Sequence, residues 1–159
     1  MFLDGGVVLT QVDRDGARTD YNSQPGGEAV DLPVVILVDK YSASGSEVLA
    51  GALRDHDRAQ IIGTQTFGKG SVNHLRPLSN GGAIYVSVAR WLTPDGTLIE
   101  GVGLTPDYKM DQTEDDVPGA VGPQLFAAID LLHSEINGTA FVPPATPAAT
   151  PTPASSVVP

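Results

Sequence analysis

A serine at the point where an apolar strand turns into a helix is the first candidate for chemistry. Ser44 follows the apolar run 33–38 and opens a helical stretch from about 44 to 55. The first turn of a helix offers free N–H groups and the positive end of its dipole, which stabilise an alkoxide or oxyanion. Spacing alone favours a simpler role, because Ser44 to Glu47 also reads S-x-x-E, a capping box. Ser42 and Ser46 are rival nucleophiles.

A serine nucleophile needs a base, and the candidate is Lys69 between Gly68 and Gly70. The three histidines are poorly placed, two near helix ends and one in a strand pattern: His56, His133 and His74. A lysine serves as a base where burial lowers its pKa from about 10.4 to about 7–8, so Lys69 is expected among apolar groups. Its flanking glycines permit close approach of other backbone. The other interpretation is a surface lysine in a turn.

The segment around Lys69 also matches the start of a phosphate-binding loop. Gly63 to Lys69 reads G-x-x-x-x-G-K after a predicted strand. The next residue is Gly70 rather than the Ser or Thr that holds magnesium, and Ser71 comes one place too late. The following residues do not start a helix, so the dipole that favours phosphate is missing. A nucleotide-binding function is therefore disfavoured.

Composition excludes several other classes of function. Nine lysines and arginines against 19 acidic residues give a net charge of −10, which argues against binding nucleic acid. No cysteine is present, so a thiol nucleophile and a cysteine-ligated zinc are excluded. The acidic run 111–116 lacks the pattern of a calcium loop, and we expect no metal and no cofactor. The sequence contains no signal peptide and no apolar run long enough for a transmembrane helix.

The elements that position these residues follow from periodicity. Strands are predicted at 6–12, 17–21, 33–38, 59–62, 71–75, 83–91 and 98–99. The run 33–38 is apolar at every position, as in a parallel strand buried on both faces. The helix at 44–55 presents one apolar stripe, made of Val48, Leu49, Ala52 and Leu53. Strand, helix and strand in this order form a βαβ unit and indicate an α/β fold.

The last predicted helix spans 123–136, with Leu125, Ile129 and Leu132 on its apolar face and Pro123 near its start. The chain then becomes rich in Pro, Ala, Thr and Ser, which cannot bury a core. We therefore divide the sequence into a folded core, 1–137, which contains the candidate residues Ser44 and Lys69, and a disordered tail, 138–159.

Several motifs in a fixed order closely resemble the C-terminal processing peptidases, also called tail-specific proteases. They cover about residues 1–135 and comprise the apolar strand 34–38, S-A-S-G-S-E at 42–47, A-G-A-L at 50–53, G-T at 63–64, F-G-K-G-S-V at 67–72, P-L at 77–78 and G-V-G-L-T-P-D at 101–107. The resemblance implies a crotonase/ClpP-like β-α core. It also implies a serine protease, a hydrolase that cleaves near the C-termini of exported proteins.

The resemblance assigns roles by position. It implies that Ser44 is the nucleophile, that Lys69 is the general base of a Ser/Lys dyad, and that the Gly45 amide lies in the oxyanion hole. Asn73 stands where the family often has a glutamine that orients the lysine, and Gly45 replaces the usual alanine. The expected partner is a protein or peptide with an exposed C-terminal tail, in an extracytoplasmic or membrane-associated setting.

The resemblance further implies a PDZ domain and a glycine-rich oxyanion segment upstream of residue 1, so the core is expected to be incomplete at its N-terminus. The rival hypothesis from a different class is an inactive peptide-binding or scaffold protein on the same fold.

Overall fold

Two β-sheets and two helices form the part of the chain that the computed structural model describes, residues 1–111 and 122–144. The elements are β1 (Val7–Asp13), β2 (Arg18–Asn22), β3 (Val35–Val38), α1 (Gly45–Asp55), β4 (Gln60–Gly63), β5 (Ser71–Pro77), β6 (Ala83–Leu92), β7 (Tyr108–Lys109) and α2 (Pro123–Asn137). The predicted α/β class is confirmed. Every predicted strand is present except the one at 98–99, which is reduced to a single bridge between Leu92 and Leu98.

The smaller sheet is parallel and has the strand order β3-β4-β7. β3, α1 and β4 form the predicted βαβ unit, with Val35 opposite Gln60 and Val38 opposite Gly63. β3 lies at the edge of this sheet, and Leu37 is 40% exposed. The prediction that this strand is buried on both faces is therefore wrong for the described residues: Val35 packs against the core on the α2 side, whereas Leu37 on the same face stays exposed. β7 was not predicted, since two residues carry no periodicity.

The two helices pack on opposite faces of the parallel sheet. Ile61, with Ala50 and Leu104, belongs to the core on the α1 side. Its neighbour Ile62 packs with Leu131 on the α2 side. Adjacent residues of a strand point to opposite faces, so β4 serves both layers.

The larger sheet is antiparallel, with the order β2-β1-β6-β5. β1 and β2 form the predicted hairpin, whose turn contains Gly16 at φ 84°. The Asp13 carboxylate accepts the amides of Asp15 and Ala17, both at 2.9 Å, which fixes the turn. β5 and β6 form a longer hairpin that begins directly after Lys69.

The buried faces of both helices differ from the predicted ones. In α1 the buried residues are Glu47, Ala50, Gly51, Ala52 and Leu53, whereas Leu49 is 50% exposed. In α2 they are Gln124, Ala127, Ala128, Leu131 and Ser134, whereas Ile129 is 38% exposed. Ala52 and Leu53 are buried as predicted, but the small residues Ala50 and Gly51 in α1 and Ala127 and Ala128 in α2 are buried where the prediction placed larger side chains.

The chain beyond α2 starts close to the core. Phe141 packs edge-on against Tyr108, with ring centroids 4.9 Å apart. The remainder of the predicted tail, 145–159, and most of the acidic run 111–116 lie outside the described residues, so the division at residue 137 stays a prediction. Neither helix of the described ranges has the length and apolar character needed to cross a membrane.

Candidate active site

Ser44 immediately precedes α1 and has an unusual backbone conformation. Its φ is 58° and its ψ is −117°, a region that residues with a side chain rarely adopt. Such a conformation costs about 1–3 kcal/mol and persists only where surrounding contacts enforce it. Two such contacts are helical: the Ser44 carbonyl accepts the amides of Glu47 at 2.9 Å and Val48 at 3.0 Å. Ser44 is half-buried at the positive end of the helix.

Glu47 is the residue that joins the serine segment to the lysine segment. It lies one turn into α1 and is 0% exposed. Its Oε2 accepts the amide of Ser44 at 2.9 Å and the amide of Lys69 at 2.8 Å. Since one oxygen receives both bonds, the two amide nitrogens can be no farther apart than the sum of these distances. The structure therefore brings the main chains of Ser44 and Lys69 together.

The other oxygen of Glu47 binds the segment before the lysine. Oε1 accepts the amide of Gly68 at 2.7 Å and the hydroxyl of Thr66 at 2.5 Å. Thr66 is itself buried, and its oxygen accepts the amide of Leu104 at 2.7 Å. The buried carboxylate thus receives four hydrogen bonds, which is how a buried charge is normally accommodated.

The glycines beside Lys69 allow close contact with the segment 99–103. Gly68 has a φ of 87°, and a Cβ there would lie 2.9 Å from the amide nitrogen of Gly103. A Cβ on Gly70 would lie 2.6 Å from the amide nitrogen of Glu100 and 2.7 Å from the Cβ of Ile99. The predicted close backbone approach is therefore present. β5 follows directly, without a helix, as the argument against a phosphate-binding loop expected.

Lys69 itself is exposed in the described structure. The expectation that it lies among apolar groups is not met by residues 1–111 and 122–144. The physical reason is that the surrounding contacts hold its main chain: Gly68 and Gly70 are buried, while the side chain between them projects away from the packed backbone.

The rival serines occupy different environments. The Ser42 hydroxyl donates to Asp39 at 3.0 Å and accepts the Asp39 amide at 3.1 Å, so it closes the turn after β3. Ser46 is exposed in the first turn of α1. Neither has the backbone conformation found at Ser44.

The other two candidate residues differ in their contacts. The Gly45 amide is at the first position of α1, and a Cβ at this residue would meet nothing within 4 Å. The Asn73 side chain donates to the carbonyl and hydroxyl of Ser71, at 3.3 and 3.2 Å, and accepts from the Ser87 hydroxyl at 2.5 Å. These bonds tie Asn73 to β5 and β6.

Comparison with known proteins identifies the family. The profile described as peptidase family S41 matches residues 1–110. The chain belongs to peptidase family S41. Its relatives include a carboxy-terminal-processing protease of Bartonella bacilliformis, 43% identical over 68% of this chain and 25% of that protein. Carboxyl-terminal-processing peptidase 3, chloroplastic, of Arabidopsis thaliana is 42% identical over 85% of this chain and 26% of that protein.

Comparison with a solved structure shows that the similarity includes the fold. The photosystem II D1 C-terminal processing protease superposes with a TM-score of 0.66 at 40% identity, over 70% of this chain and 29% of that one. The tricorn protease, at 22% identity and a TM-score of 0.54, shares the fold. The chain spans about a quarter of the length of the relatives described above. The predicted membership of the C-terminal processing peptidases, a family of hydrolases, is confirmed.

Sequence reasoning missed the central position of Glu47 and the part played by Thr66. From the sequence alone, Glu47 is interpreted only as the fourth residue of a capping box. A signal was nevertheless present, because a carboxylate followed by Ala50, Gly51 and Ala52 falls on the small-residue face of the helix. Thr66 carried no local signal, since its partners lie 19 and 38 residues away.

Proposed function

We propose that this chain carries the Ser/Lys catalytic core of a serine endopeptidase that cleaves near protein C-termini. The observation that supports this most strongly is the double hydrogen bond at Glu47 Oε2, which holds the amides of Ser44 and Lys69 together. The strained backbone of Ser44 adds support, because strain of this kind clusters at reacting residues.

The proposed reaction is acyl transfer in two steps. The neutral amine of Lys69 accepts the proton of Ser44 Oγ as that oxygen attacks the scissile carbonyl carbon. The Gly45 amide donates to the resulting oxyanion at the positive end of α1. The protonated lysine then gives its proton to the leaving amine as the C–N bond breaks. Water, deprotonated by the same amine, hydrolyses the ester on Ser44.

The remaining parts of the proposal rest on the family. The substrate is a protein or peptide with an exposed C-terminal tail, delivered by a PDZ domain, in an extracytoplasmic or membrane-associated location. Asn73 is proposed as a weak third member, acting on Lys69 indirectly, since its own hydrogen bonds go to Ser71 and Ser87. The Lys69 amine requires an apolar enclosure, which the bound substrate supplies in this proposal by covering the exposed side chain.

The test is cleavage of a tail-bearing peptide, together with mass-spectrometric detection of the acyl-enzyme. We expect Ser44→Ala to abolish both signals, because no other group replaces the attacking oxygen. Lys69→Arg should abolish them as well, because arginine stays protonated. Matched controls are Ser42→Ala and Ser46→Ala, which should retain the acyl-enzyme. An active Lys69→Arg protein, or an acyl group on Ser42 or Ser46, would contradict the dyad.

A further inference from the structure

One row of residues crosses all four strands of the antiparallel sheet and contains two arginines. Val12 of β1 lies directly opposite Arg18 on β2 and opposite Arg90 on β6. Arg90 in turn lies opposite Ser71 on β5. Directly paired residues project from the same face of a sheet. The order Arg18, Val12, Arg90, Ser71 is therefore continuous on one face.

These residues line a cavity of about 610 Å³. We name it the arginine groove; besides Val12, its lining includes Arg14, Arg18, Ser71 and Arg90 together with the acidic residues Asp13 and Glu100. The groove is thus more than a run of surface charges, because a concave site can enclose part of a ligand.

The arginines of the groove differ from those that serve the fold. Arg54 pairs with Asp55 at 2.9 Å, and Arg58 donates to the carbonyl of Ala29 at 2.7 Å. Within residues 1–111 and 122–144, no carboxylate lies within 4.0 Å of a nitrogen of Arg18 or Arg90. Two guanidinium groups are thus left open in a chain whose net charge is −10.

The two acidic residues that line the groove, Asp13 and Glu100, each accept backbone amides. Asp13 accepts the amides of its own turn, at Asp15 and Ala17. Glu100 accepts the amide of Gly70 at 2.7 Å. Arg14 contacts Asp15 at 3.4 Å, but both side chains are largely exposed, and such a pair is weak.

One end of the arginine groove lies near the proposed catalytic lysine in the sequence. Ser71 follows Lys69 by two residues, and the carbonyl of Gly70 accepts the amide of Trp91 at 2.7 Å, which fixes β5 onto β6 here. Strands are about 4.8 Å apart, so Arg90 lies about 5 Å and Arg18 about 14 Å from Ser71 across the sheet. An extended peptide advances about 3.3 Å per residue. Carboxylates two to four residues apart would reach both arginines.

We propose that the arginine groove binds carboxylate groups of the peptide substrate, with Arg18 and Arg90 as the specificity-determining residues. The identity of the ligand as substrate rests on the proposed function, whereas the binding chemistry does not. Arginine presents a planar fork that accommodates a carboxylate through two parallel hydrogen bonds. The carboxylates come from Asp or Glu side chains or from the terminal α-carboxylate, and the experiment separates these sources.

The experiment measures peptide binding by fluorescence anisotropy on the protein carrying Ser44→Ala, so that nothing is cleaved. One labelled peptide carries two Glu residues three positions apart, and its partner carries Gln at both. Each is made with a free and with an amidated C-terminus. The groove variants are Arg18→Gln and Arg90→Gln. The matched control is Arg76→Gln, which removes the same charge from an exposed site on β5 outside the groove.

We expect each groove variant to raise the Kd of the Glu peptide at least about tenfold, because a charge-assisted bidentate pair is lost. Arg76→Gln should change it less than about twofold. If replacing Glu by Gln in the peptide raises the Kd, the groove binds side-chain carboxylates. If only amidation of the C-terminus raises the Kd, the groove binds the terminal carboxylate. No detectable binding, equal Kd values for all four peptides, or equal effects of Arg76→Gln and the groove variants would overturn the proposal. So would tighter binding of a single-stranded oligonucleotide of equal charge with the same arginine dependence.

Binding and cleavage separate the two proposals. If Lys69→Arg stays active, the dyad fails while the groove result stands. If the groove variants bind all four peptides like the parent protein while Ser44→Ala and Lys69→Arg both abolish cleavage, the groove fails and the dyad stands.

Discussion

The serine segment and the lysine segment meet at the same carboxylate but are held in place in different ways. Ser44 takes its geometry from its own neighbours in sequence: a helix that begins at Gly45 and a main-chain conformation with φ 58°. Lys69 takes its geometry from distant backbone, through two glycines pressed against 99–103. The conformation of the proposed nucleophile therefore depends on local strain, whereas the position of the proposed base depends on long-range packing. Single substitutions can test each dependence separately.

The largest loss of stability is expected from substitution of Glu47, which joins the serine segment to the lysine segment. Glu47→Ala leaves four donors without their acceptor: the amides of Ser44, Gly68 and Lys69 and the hydroxyl of Thr66. Each unsatisfied buried group costs about 1–3 kcal/mol, so the loss of four bonds should lower the free energy of unfolding by at least about 4 kcal/mol in urea titrations. The free energy of unfolding of Glu47→Gln should lie between those of Glu47→Ala and the parent protein, because the side-chain amide keeps one acceptor oxygen.

The matched control for Glu47 is Glu28→Ala, which removes an exposed carboxylate from a loop. It should change the free energy of unfolding by less than about 0.5 kcal/mol. An equal loss in Glu28→Ala and Glu47→Ala would show that the buried carboxylate does not join the two segments.

Packing of the lysine segment is tested by Gly70→Ala. The new Cβ would lie 2.6 Å from the Glu100 nitrogen and 2.7 Å from the Ile99 Cβ, distances that require backbone to move. We expect a loss of about 1–3 kcal/mol in the free energy of unfolding. Acyl-enzyme formation should also decrease, because the displacement reaches Lys69. Unchanged stability would mean that the segment 99–103 moves at little cost in free energy and does not fix the position of Lys69.

Local strain at Ser44, the proposed nucleophile, is tested by Ser44→Gly. Glycine adopts positive φ without penalty, so the substitution relieves about 1–3 kcal/mol of strain. It also adds about 0.4–1 kcal/mol of chain entropy to the unfolded state. The net expectation is a free energy of unfolding about 1 kcal/mol above that of Ser44→Ala, which keeps a Cβ in the same conformation. Both variants should be inactive. If the Ser44→Gly protein were less stable than the Ser44→Ala protein, the backbone at residue 44 would not be strained by its positive φ.

The same contrast explains what the sequence could predict. The strand at 33–38, the helix at 44–55 and the strand at 59–62 follow from local periodicity, and the βαβ order then places Ser44 at a strand-to-helix turn. The proximity of Lys69 could be stated only through the family resemblance. Physically it depends on bonds from Glu47 to residues 21 and 22 positions away, and no periodicity encodes such pairs.

The buried faces of the helices could not be predicted for a related reason. In both helices, periodicity selects some large apolar residues that are exposed, while small residues beside them are buried. In α2 the sheet receives Ala127, Ala128 and Leu131, because Ile62 and Met110 already fill the space between the layers. Which stripe is buried depends on the volume of the partner, and the partner lies elsewhere in the chain. The exposure of Lys69 has the same origin, since contacts of its neighbours determine where its side chain projects.

The smallest effect is expected at Gly45, where the family usually has alanine. A Cβ here would meet nothing within 4 Å, and the residue has no positive φ. Gly45→Ala should therefore raise the free energy of unfolding by about 0.4–1 kcal/mol, because alanine restricts the unfolded chain more than glycine does. The amide proposed to bind the oxyanion is retained, so acyl-enzyme formation should stay within about twofold of the parent. Gly45→Ala should raise the free energy of unfolding and Gly70→Ala should lower it, because a Cβ has space at Gly45 and none at Gly70. A destabilised Gly45→Ala protein would show that the start of α1 is packed as tightly as the lysine segment, and the distinction between local strain and long-range packing would then fail.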